Sequence, residues 1–330
     1  MSGSCNPRCR TGLVFDEVYL DHYTGLGHPE SPRRLQAVIE GLAGAGLLDT
    51  LTPIEPVEPR VEWVEAVHTR PYIEAVQREC AAGRMILSTG DTNICAASYE
   101  VALTATAGAV AAVQAVLDGK VTSAFCAVRP PGHHAWAGGG MGFCIFNNAA
   151  IAVRYAQQHC GVERVLIVDW DLHHGNGTQD IFYEDGSVLY CSTHRTGLYP
   201  MALTGRGHAS ETGAGAGRGT NLNIPLPPGS GDEDVIAAVR ERLMPAAERF
   251  AAQLLVISAG FDSRRGDPLG DMSITDDGYA QLTKLATGLV EGGRAVSVLE
   301  GGYSPRGLAS AVAAHVEALM DVSQPGEASA

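Results

Sequence analysis

The chain has 330 residues, 45% of them hydrophobic and 18% charged, and a formal net charge of −14. An acidic chain of this kind is not expected to bind nucleic acid or an anionic membrane directly, and its length predicts one α/β domain. We find neither a signal peptide nor an apolar segment of the roughly 20 residues that span a bilayer, so we expect a cytoplasmic protein.

The first predicted helix begins at Ser31-Pro32, where serine is a favourable N-cap and proline a favourable first helical residue, and it reaches about Leu47. Helices are also predicted over residues 72–80, 97–118, 146–159, 232–250, 275–291 and 305–320. Apolar or β-branched runs predict strands over residues 122–128, 165–168, 187–191, 254–258 and 295–299. This alternation is typical of a parallel sheet with helices on both faces. Residues 1–12 and 322–330 are expected to be flexible tails of a single domain over residues 1–330.

Residues 202–220 form the main irregular segment. Their glycine-rich run at 213–219 does not lie between a strand and a helix, as a phosphate-binding loop would, so we expect a surface loop. Cys126, Cys144 and Cys191 lie in apolar segments and are expected to be buried thiols. Cys5 and Cys9 have no second pair of ligands nearby, and their role is left open.

Polar residues with neighbouring glycines follow all five predicted strands. In chain order these are His133 and His134, the segment 169–177, Ser192 and Thr193, Asp262, and Tyr303. Ligands of open α/β sheets bind at the carboxyl ends of the strands. We therefore expect these groups to converge on one site.

The segment 169–177, with the sequence DWDLHHGNG, carries candidate metal ligands. Residues two apart in an extended backbone point to the same side, so Asp171 and His173 face one point. A catalytic zinc usually has three protein ligands, and Asp262 is the natural third. The same residue types also suit magnesium or manganese.

His133 and His134 are candidates for proton transfer, because the ordinary pKa of histidine is near 6.5. Asp169 and Asn176 are each expected to hold one imidazole, and a charged partner raises the pKa of a histidine more than a neutral one does. Tyr303, after two glycines, can donate to an oxyanion. A metal, an acid–base pair and an oxyanion donor together predict hydrolysis of an amide or an ester.

With these motifs, the sequence from about Leu13 to Leu319 resembles the zinc-dependent histone deacetylase family. The details are most similar to the class II branch and its bacterial amidohydrolase-like homologues. Besides DWDLHHGNG, the motifs are GHPESPRR at 27–34, RPPGHH at 129–134, GFCIFNN at 142–148, SAGFD at 258–262, GDPLG at 266–270 and EGGY at 300–303.

The resemblance implies the arginase/deacetylase fold, in which a central parallel sheet of about eight strands is flanked by helices. It implies a tubular pocket that leads to one zinc ion per chain. The zinc ligands would be Asp171, His173 and Asp262.

The same resemblance assigns catalytic roles. It makes His134 the general base, His133 an electrostatic partner or acid, and Tyr303 the donor that polarises the carbonyl. Asp169 and Asn176 would orient the two imidazoles. Class I members carry aspartate where this chain has Asn176, so a general base of lower pKa is expected here.

Four further residues match the walls and the mouth of the pocket. Phe143 and Tyr199 match aromatic walls that hold the acyl-lysine stem, and Gly142 lines the same channel. Asp91 matches a loop aspartate that accepts hydrogen bonds from the substrate backbone. A structural potassium ion is implied behind the zinc, at Asp169, Asp171, His173, Ser192 and Thr193.

Leu269 bears on the choice of substrate. Relatives that act on acetylpolyamines carry a glutamate there, which attracts a distant ammonium group, and leucine removes that attraction. The stretch between His68 and His133 is also too short for the insertion by which bacterial polyamine hydrolases dimerise and narrow their pocket. We therefore predict hydrolysis of N-ε-acetyl-lysine in proteins or peptides, with small acylated amines such as acetylpolyamines as the alternative substrates.

Two other classes of protein are more distant alternatives. An arginase-like ureohydrolase with two manganese ions needs more metal-binding aspartates and histidines than this chain shows. A non-catalytic acyl-lysine reader has no need of His133, His134 and Tyr303 together. The physiological substrate, the preferred acyl length and the oligomeric state are left open.

Overall fold

The computed structural model describes residues 11–322 of the chain. Cys5, Cys9 and most of the two expected tails lie outside the described residues. Thr11 and Gly12 were expected to belong to the N-terminal tail, but they pair with Ser123 and Ala124 in the sheet. At the other end the last helix includes Val322.

Within residues 11–322, eight strands form one sheet in which all neighbouring strands are parallel. The strands are β1 (Thr11–Val14), β2 (Thr52–Ile54), β3 (Ser123–Cys126), β4 (Val165–Asp169), β5 (Val188–Arg195), β6 (Asn221–Leu226), β7 (Leu254–Ala259) and β8 (Ala295–Leu299). Their spatial order is β2-β1-β3-β8-β7-β4-β5-β6. This confirms the predicted fold, a single α/β domain around a parallel sheet.

The five strands predicted from the sequence, β3, β4, β5, β7 and β8, are consecutive in the sheet. Nearly all their residues are buried, because helices cover both faces of a parallel sheet. The strands β1, β2 and β6 were not predicted. β1 and β2 have only 4 and 3 residues, and β6 contains two asparagines and a proline, which are unfavourable in strands.

The described residues include eleven α-helices and several short helices of other types. The α-helices are α1 (Arg33–Gly44), α2 (Val61–Glu65), α3 (Arg70–Ala81), α4 (Ser98–Leu117), α5 (Asn148–Cys160), α6 (Asn176–Phe182), α7 (Met201–Thr204), α8 (Asp232–Ala238), α9 (Met244–Phe250), α10 (Asp276–Thr287) and α11 (Pro305–Val322). Short 3-10 helices cover Glu17–Asp21, Leu48–Thr50, Gly215–Gly217 and Glu291–Gly293.

Three of the predicted helices differ from the observed ones by three or more residues at one end or by an interruption. α1 is preceded by Pro32 rather than capped by Ser31, and it ends at Gly44. α10 ends at Thr287, where a glycine follows. Residues 232–250 are two α-helices joined by one π-helical turn, Val239–Leu243.

Helix α4 is an apolar segment of about the length that spans a bilayer, although none was expected from the sequence. An 18-residue window of this 20-residue helix has a mean hydropathy of 1.6, so by length and composition the helix could cross a membrane. However, 78% of that window is buried inside the domain, where α4 packs beside α5 and β3. The same burial is typical of the core helix of a globular domain.

Two further predictions, the buried cysteines and the irregular segment 202–220, are confirmed. Cys126, Cys144 and Cys191 are buried. Residues 202–220 are irregular apart from the end of α7 and the turn Gly215–Gly217.

Candidate active site

The carboxyl ends of the central strands bring the predicted site residues together. β4 leads directly to Asp171 and His173, and the segment after β7 delivers Asp262. Parallel strands end at the same edge of the sheet, so residues far apart in sequence meet there. Gly301, which follows β8, donates its N–H to Asp171 Oδ2 at 2.8 Å across a separation of 130 residues.

Asp171, His173 and Asp262 form a group of potential metal ligands whose donor atoms lie within 4.8 Å of one another. His173 Nδ1 is 3.1 Å from Asp171 Oδ1 and 3.0 Å from Asp262 Oδ2. Around a tetrahedral zinc with bonds of about 2.0 Å, neighbouring ligand atoms are about 3.3 Å apart. The three predicted ligands therefore have a spacing that suits such an ion.

The surroundings of this group also suit a cation. Asp262 is fully buried, and no residue in 11–322 makes a hydrogen bond of good geometry to its Oδ2. Burial and the charge of Asp171 raise the pKa of Asp262 to about 6, so its anionic form is less stable here than in water. Two carboxylates and one neutral imidazole would balance the charge of a divalent ion such as zinc.

Gly301 permits the two carboxylates to approach the backbone. A Cβ atom at this position would lie 2.3 Å from Asp262 Oδ2 and 2.5 Å from Asp171 Oδ2. Any larger residue would displace at least one candidate ligand. A glycine is therefore needed at position 301 because the backbone there lies against both carboxylates.

His133 is held by a charged partner. Its Nδ1 lies 3.1 Å from Asp169 Oδ2, which also accepts a hydrogen bond from the Tyr190 hydroxyl at 3.0 Å. Burial alone would lower the pKa of His133, but the charges of Asp171 and Asp169 outweigh it and raise the pKa to about 10. With these neighbours His133 is a cation at neutral pH.

His134 is held by a neutral partner. Its Nδ1 lies 2.8 Å from Asn176 Oδ1, which can only accept, so Nδ1 donates and Nε2 carries the lone pair. Burial lowers the pKa of His134 well below its ordinary value, and the positive charges of His133 and His173 lower it further. The structure thus places both histidines beside the partners predicted for them, with pKa shifts of opposite direction.

Tyr303 is fixed by two residues that we did not predict. Asp267 Oδ2 accepts hydrogen bonds from the N–H groups of Tyr303 and Ser304 at 2.7 and 3.0 Å. The Arg34 guanidinium lies 5.0 Å from the centre of the Tyr303 ring, and its Nε donates to Gly302 O at 2.6 Å. Arg34 lies in the GHPESPRR motif and Asp267 in the GDPLG motif. Their charges are the feature of the sequence that could have indicated a role in the site.

Glu300 also lacked a predicted role. It is buried at the end of β8, and its Oε2 accepts hydrogen bonds from the N–H groups of Gly132 and His133 at 2.7 and 3.1 Å. Burial raises the pKa of Glu300 to about 7. His133, Cys144 and Glu300 form a second close group of potential ligands, but burial raises the pKa of the Cys144 thiol, and a protonated thiol is a poor ligand. Glu300 therefore acts by anchoring the loop that carries His133.

Asp91 links the two sides of the predicted channel. Its Oδ1 accepts hydrogen bonds from Gly142 N at 2.6 Å and from the Tyr199 hydroxyl at 3.3 Å. Tyr199 in turn lies beside His134, with ring centres 5.4 Å apart. The loop aspartate thus fixes the position of predicted wall residues.

Gly142 and Phe143 both have a left-handed backbone, with φ of 56° and 69°. At Gly142 a Cβ atom would lie 2.3 Å from His134 Cδ2, so only glycine fits. Phe143 is not a glycine, and its positive φ costs about 1–3 kcal/mol that the surrounding contacts must offset. The Phe143 ring lies 5.9 Å from that of Tyr303. We call Gly142, Phe143 and Tyr199 the channel wall.

Among residues 11–322, no side-chain hydrogen bond or ion pair joins Leu269, Ser192 or Thr193 to Asp171, His173 or Asp262. Leu269 is 38% exposed, and its N–H donates to Asp267 Oδ1 at 3.0 Å. Ser192 is the register partner of Asp169, and its hydroxyl lies 2.9 Å from His194 Nδ1. Thr193 is buried. The potassium site stays a prediction.

Comparison with known proteins finds similarity along nearly the whole chain. Residues 28–319 match the histone deacetylase domain family. A probable deacetylase of Archaeoglobus fulgidus is 42% identical over 302 residues, which are 90% of this chain and 82% of that protein. Mouse polyamine deacetylase HDAC10 is 39% identical over 303 residues, which are 88% of this chain but 45% of that protein. The crystal structure of the HDA15 HD domain has a TM-score of 0.89 and 38% identity, with 97% of this chain and 92% of that chain covered.

These similarities and the site geometry define a hydrolase of amide bonds. The chain belongs to the histone deacetylase family, and it is a deacetylase by that membership. The resemblance inferred from the motifs is thereby confirmed, as is the fold that it implied.

Proposed function

We propose that this deacetylase hydrolyses the amide of N-ε-acetyl-lysine in peptides or proteins, with one zinc ion held by Asp171, His173 and Asp262. The observation that carries the proposal is the convergence of these three ligands with a neutral histidine, His134, and a buried tyrosine, Tyr303. Hydrolysis needs a nucleophilic water, a group that exchanges protons and a donor to the carbonyl oxygen.

When bound, zinc supplies Lewis acidity, which acidifies water and polarises the acyl carbonyl. The charges of Asp171 and Asp262 offset that of the ion, so a base from the protein is still needed to accept the proton of water. His173 must be neutral as a ligand. Burial alone would lower the pKa of His173, but the two nearby carboxylates outweigh it and raise the pKa to about 10, which implies that a proton leaves when metal binds.

His134 is suited to act as the base, because its low pKa keeps Nε2 free to accept a proton at neutral pH. It then returns this proton to the amine nitrogen as the carbon–nitrogen bond breaks. The carboxylate of Asp169 favours the protonated form of His133, so His133 is less suited than His134 to accept a proton. Its positive charge instead favours the negative charge that develops next to it.

Tyr303 donates its hydroxyl hydrogen to the carbonyl oxygen as that oxygen becomes negative. Burial raises the pKa of Tyr303 well above its ordinary value, so the hydroxyl stays protonated. The contacts of Arg34 and Asp267 with this tyrosine and its backbone hold the donor in place. Such preorganisation is what makes an oxyanion donor effective.

The channel wall and Asp91 are suited to hold the substrate. The rings of Phe143 and Tyr199 offer apolar surface to the methylene groups of the acyl-lysine stem. Asp91 Oδ1 is engaged by Gly142 and Tyr199, and its Oδ2 is the oxygen that can accept a main-chain N–H of a peptide. A substrate with a peptide backbone therefore gains a contact that a free amine lacks.

A structural potassium ion at Asp169, Asp171, His173, Ser192 and Thr193 is part of the proposal. Asp169 and Ser192 lie side by side on β4 and β5, and oxygen donors are the ligands that alkali cations need. Replacing potassium by a large organic cation should lower the melting temperature. An unchanged melting temperature would remove this ion from the proposal.

Small acylated amines are the second candidate substrates, because the chain is 39% identical to a polyamine deacetylase over 303 residues. Leu269 offers no negative charge to a distant ammonium group. We therefore expect a higher kcat/KM for an acetyl-lysine peptide than for acetylspermidine. The reverse order would assign the enzyme to acylated amines.

A further inference from the structure

Asn176 can face His134 in two ways, a choice that an aspartate at the same position would not have. A carboxylate presents two equivalent oxygens, whereas a side-chain amide has an oxygen at one end and an NH2 group, which donates, at the other. The two ends have nearly the same shape, so hydrogen-bond partners decide which end faces the histidine. Asn176 is only 2% exposed, so the protein must supply most of those partners.

The orientation of this amide determines which ring nitrogen of His134 carries the hydrogen. In the observed orientation the amide oxygen accepts from Nδ1 at 2.8 Å, and Nε2 keeps its lone pair. A neutral imidazole has a single N–H. The reversed amide would donate to Nδ1 and so place the hydrogen on Nε2. An imidazole in that form cannot accept a proton at Nε2.

Met141 lies at the far end of the amide. Asn176 Nδ2 donates to Met141 Sδ at 3.7 Å, a length that reflects the large radius of sulfur. A thioether sulfur is a weak acceptor and has no hydrogen to donate. It therefore pairs with the NH2 end of the amide, whereas the reversed amide would set two acceptors, Oδ1 and Sδ, against each other. The sulfur thus favours the orientation in which the oxygen faces His134.

The backbone that carries Met141 is held from both sides. Thr89 Oγ1 donates to Gly140 O at 2.8 Å and accepts from Gly140 N at 3.2 Å. On the other side, Cys144 N donates to Met141 O at 3.0 Å. A Cβ atom at Gly90 would lie 3.1 Å from Met141 Cβ, so the two loops are in close contact there. These contacts restrict the position of a side chain that is otherwise flexible.

We propose that Met141 is a positioning residue whose sulfur selects the orientation of the Asn176 amide and, through it, the tautomer of His134 that accepts a proton at Nε2. The effect on catalysis rests on the proposed function, in which His134 is the base. An aspartate at position 176 would need no such selection, because either of its oxygens accepts from Nδ1. Met141 therefore has this role only beside an asparagine.

The first measurement reads the tautomer directly, by nitrogen NMR of isotopically labelled histidine side chains in the full-length enzyme loaded with zinc, at neutral pH. His134→Ala identifies the signals. Met141→Leu nearly conserves volume and removes the acceptor. About half of His134 should then carry its hydrogen on Nε2, because neither orientation of the amide finds a partner at the far end. Met320→Leu is the matched control, since it removes another half-buried sulfur, which accepts from Thr50 at 3.9 Å, and it should keep the wild-type tautomer.

The second measurement is a double-mutant cycle on kcat with an acetyl-lysine peptide. Met141→Leu should lower kcat about twofold and leave KM unchanged, since about half of the enzyme holds the inactive tautomer. In an Asn176→Asp background the same substitution should leave kcat unchanged, because a carboxylate has no wrong orientation. A loss of packing at the channel would lower kcat equally in both backgrounds.

The outcomes separate this role from the proposed function. If Met141→Leu keeps the hydrogen on Nδ1 of His134, or lowers kcat equally in both backgrounds, Met141 does not select the tautomer, and the proposed function stands. If the tautomer changes and kcat does not fall, Met141 orients the amide and His134 is not the base. If the wild-type enzyme hydrolyses no acetyl-lysine peptide, the proposed function fails, and the tautomer measurement still decides the role of Met141.

Discussion

His134 and Asn176 are joined by a hydrogen bond of 2.8 Å in which Nδ1 of the imidazole donates to the amide oxygen. The neighbouring His133 has the same contact with a carboxylate instead, that of Asp169. Two imidazoles whose ring centres are 4.0 Å apart are therefore held in different protonation states. The neutral one can accept a proton, and the charged one can only donate.

Asn176→Asp should raise the pKa of His134, because a carboxylate stabilises the imidazolium. The base works in its neutral form, so the acid limb of the kcat/KM profile should move to higher pH, by about one pH unit. The measurement is the pH–rate profile on an acetyl-lysine peptide. An acid limb that does not move would mean that His134 is not the base.

His134→Ala should lower kcat by at least about 100-fold, since removal of a general base commonly costs 10²–10⁴-fold. The exposed His159 offers a matched control, and His159→Ala should retain wild-type kcat. Both variants should keep the zinc content of the wild type, because neither residue is a ligand. A His134→Ala enzyme with near-normal kcat would contradict the assigned role.

Tyr303→Phe should also lower kcat by about 100-fold or more, with a smaller change in KM, because the hydroxyl acts on the oxyanion. Tyr279 is a suitable control, since its buried hydroxyl has no hydrogen-bond partner among residues 11–322. Tyr279→Phe should keep full activity. Equal losses in the two variants would point to a general packing effect rather than to a donor at Tyr303.

Glu30 should make stability depend on acid pH. Burial alone would raise the pKa of Glu30, but its ion pair with Arg129 lowers it to about 2. The folded pKa lies below the unfolded value of about 4.3, so this stabilisation is complete above about pH 4.3 and is lost as the pH falls towards 2.

Glu30→Gln should therefore lower the free energy of unfolding at pH 7 by about 3–5 kcal/mol, because Arg129 is left buried without its partner. It should also flatten the decline between pH 4.3 and 2 in urea titrations. Glu65→Gln breaks the exposed pair with Arg70 and should cost less than about 1 kcal/mol. Similar losses in the two variants would contradict a dominant role for the buried pair.

Much of the fold could be predicted because the five central strands are continuous apolar runs. The missed strands depend on tertiary contacts. β6 carries Asn221 and Asn223, whose side-chain amides donate hydrogen bonds to Oε1 of Gln179 in α6. The residues next to these asparagines in the sequence do not indicate that partner. Segment 176–182 was not predicted as a helix either, because it begins within the motif assigned to the site.

The grouping of Asp171, His173 and Asp262 and both histidine pairs could be predicted because each motif follows a strand. Arg34 and Glu300 could not be assigned roles in this way. Arg34 acts on Gly302 across 268 residues and Glu300 on Gly132 across 168. Such contacts are set by which strands are neighbours in the sheet, and the order β3-β8-β7 does not follow from the chain order.

We propose that Asp171, His173 and Asp262 hold a zinc ion that is required for hydrolysis of acetyl-lysine. The most direct measurement removes metal with a chelator, restores zinc in steps, and follows both bound metal and kcat on an acetyl-lysine peptide. We predict that activity is lost with the metal and returns in proportion to zinc, up to one ion per chain. Asp262→Asn should bind zinc more weakly in the same titration. Full activity in a metal-free preparation would contradict the requirement for zinc.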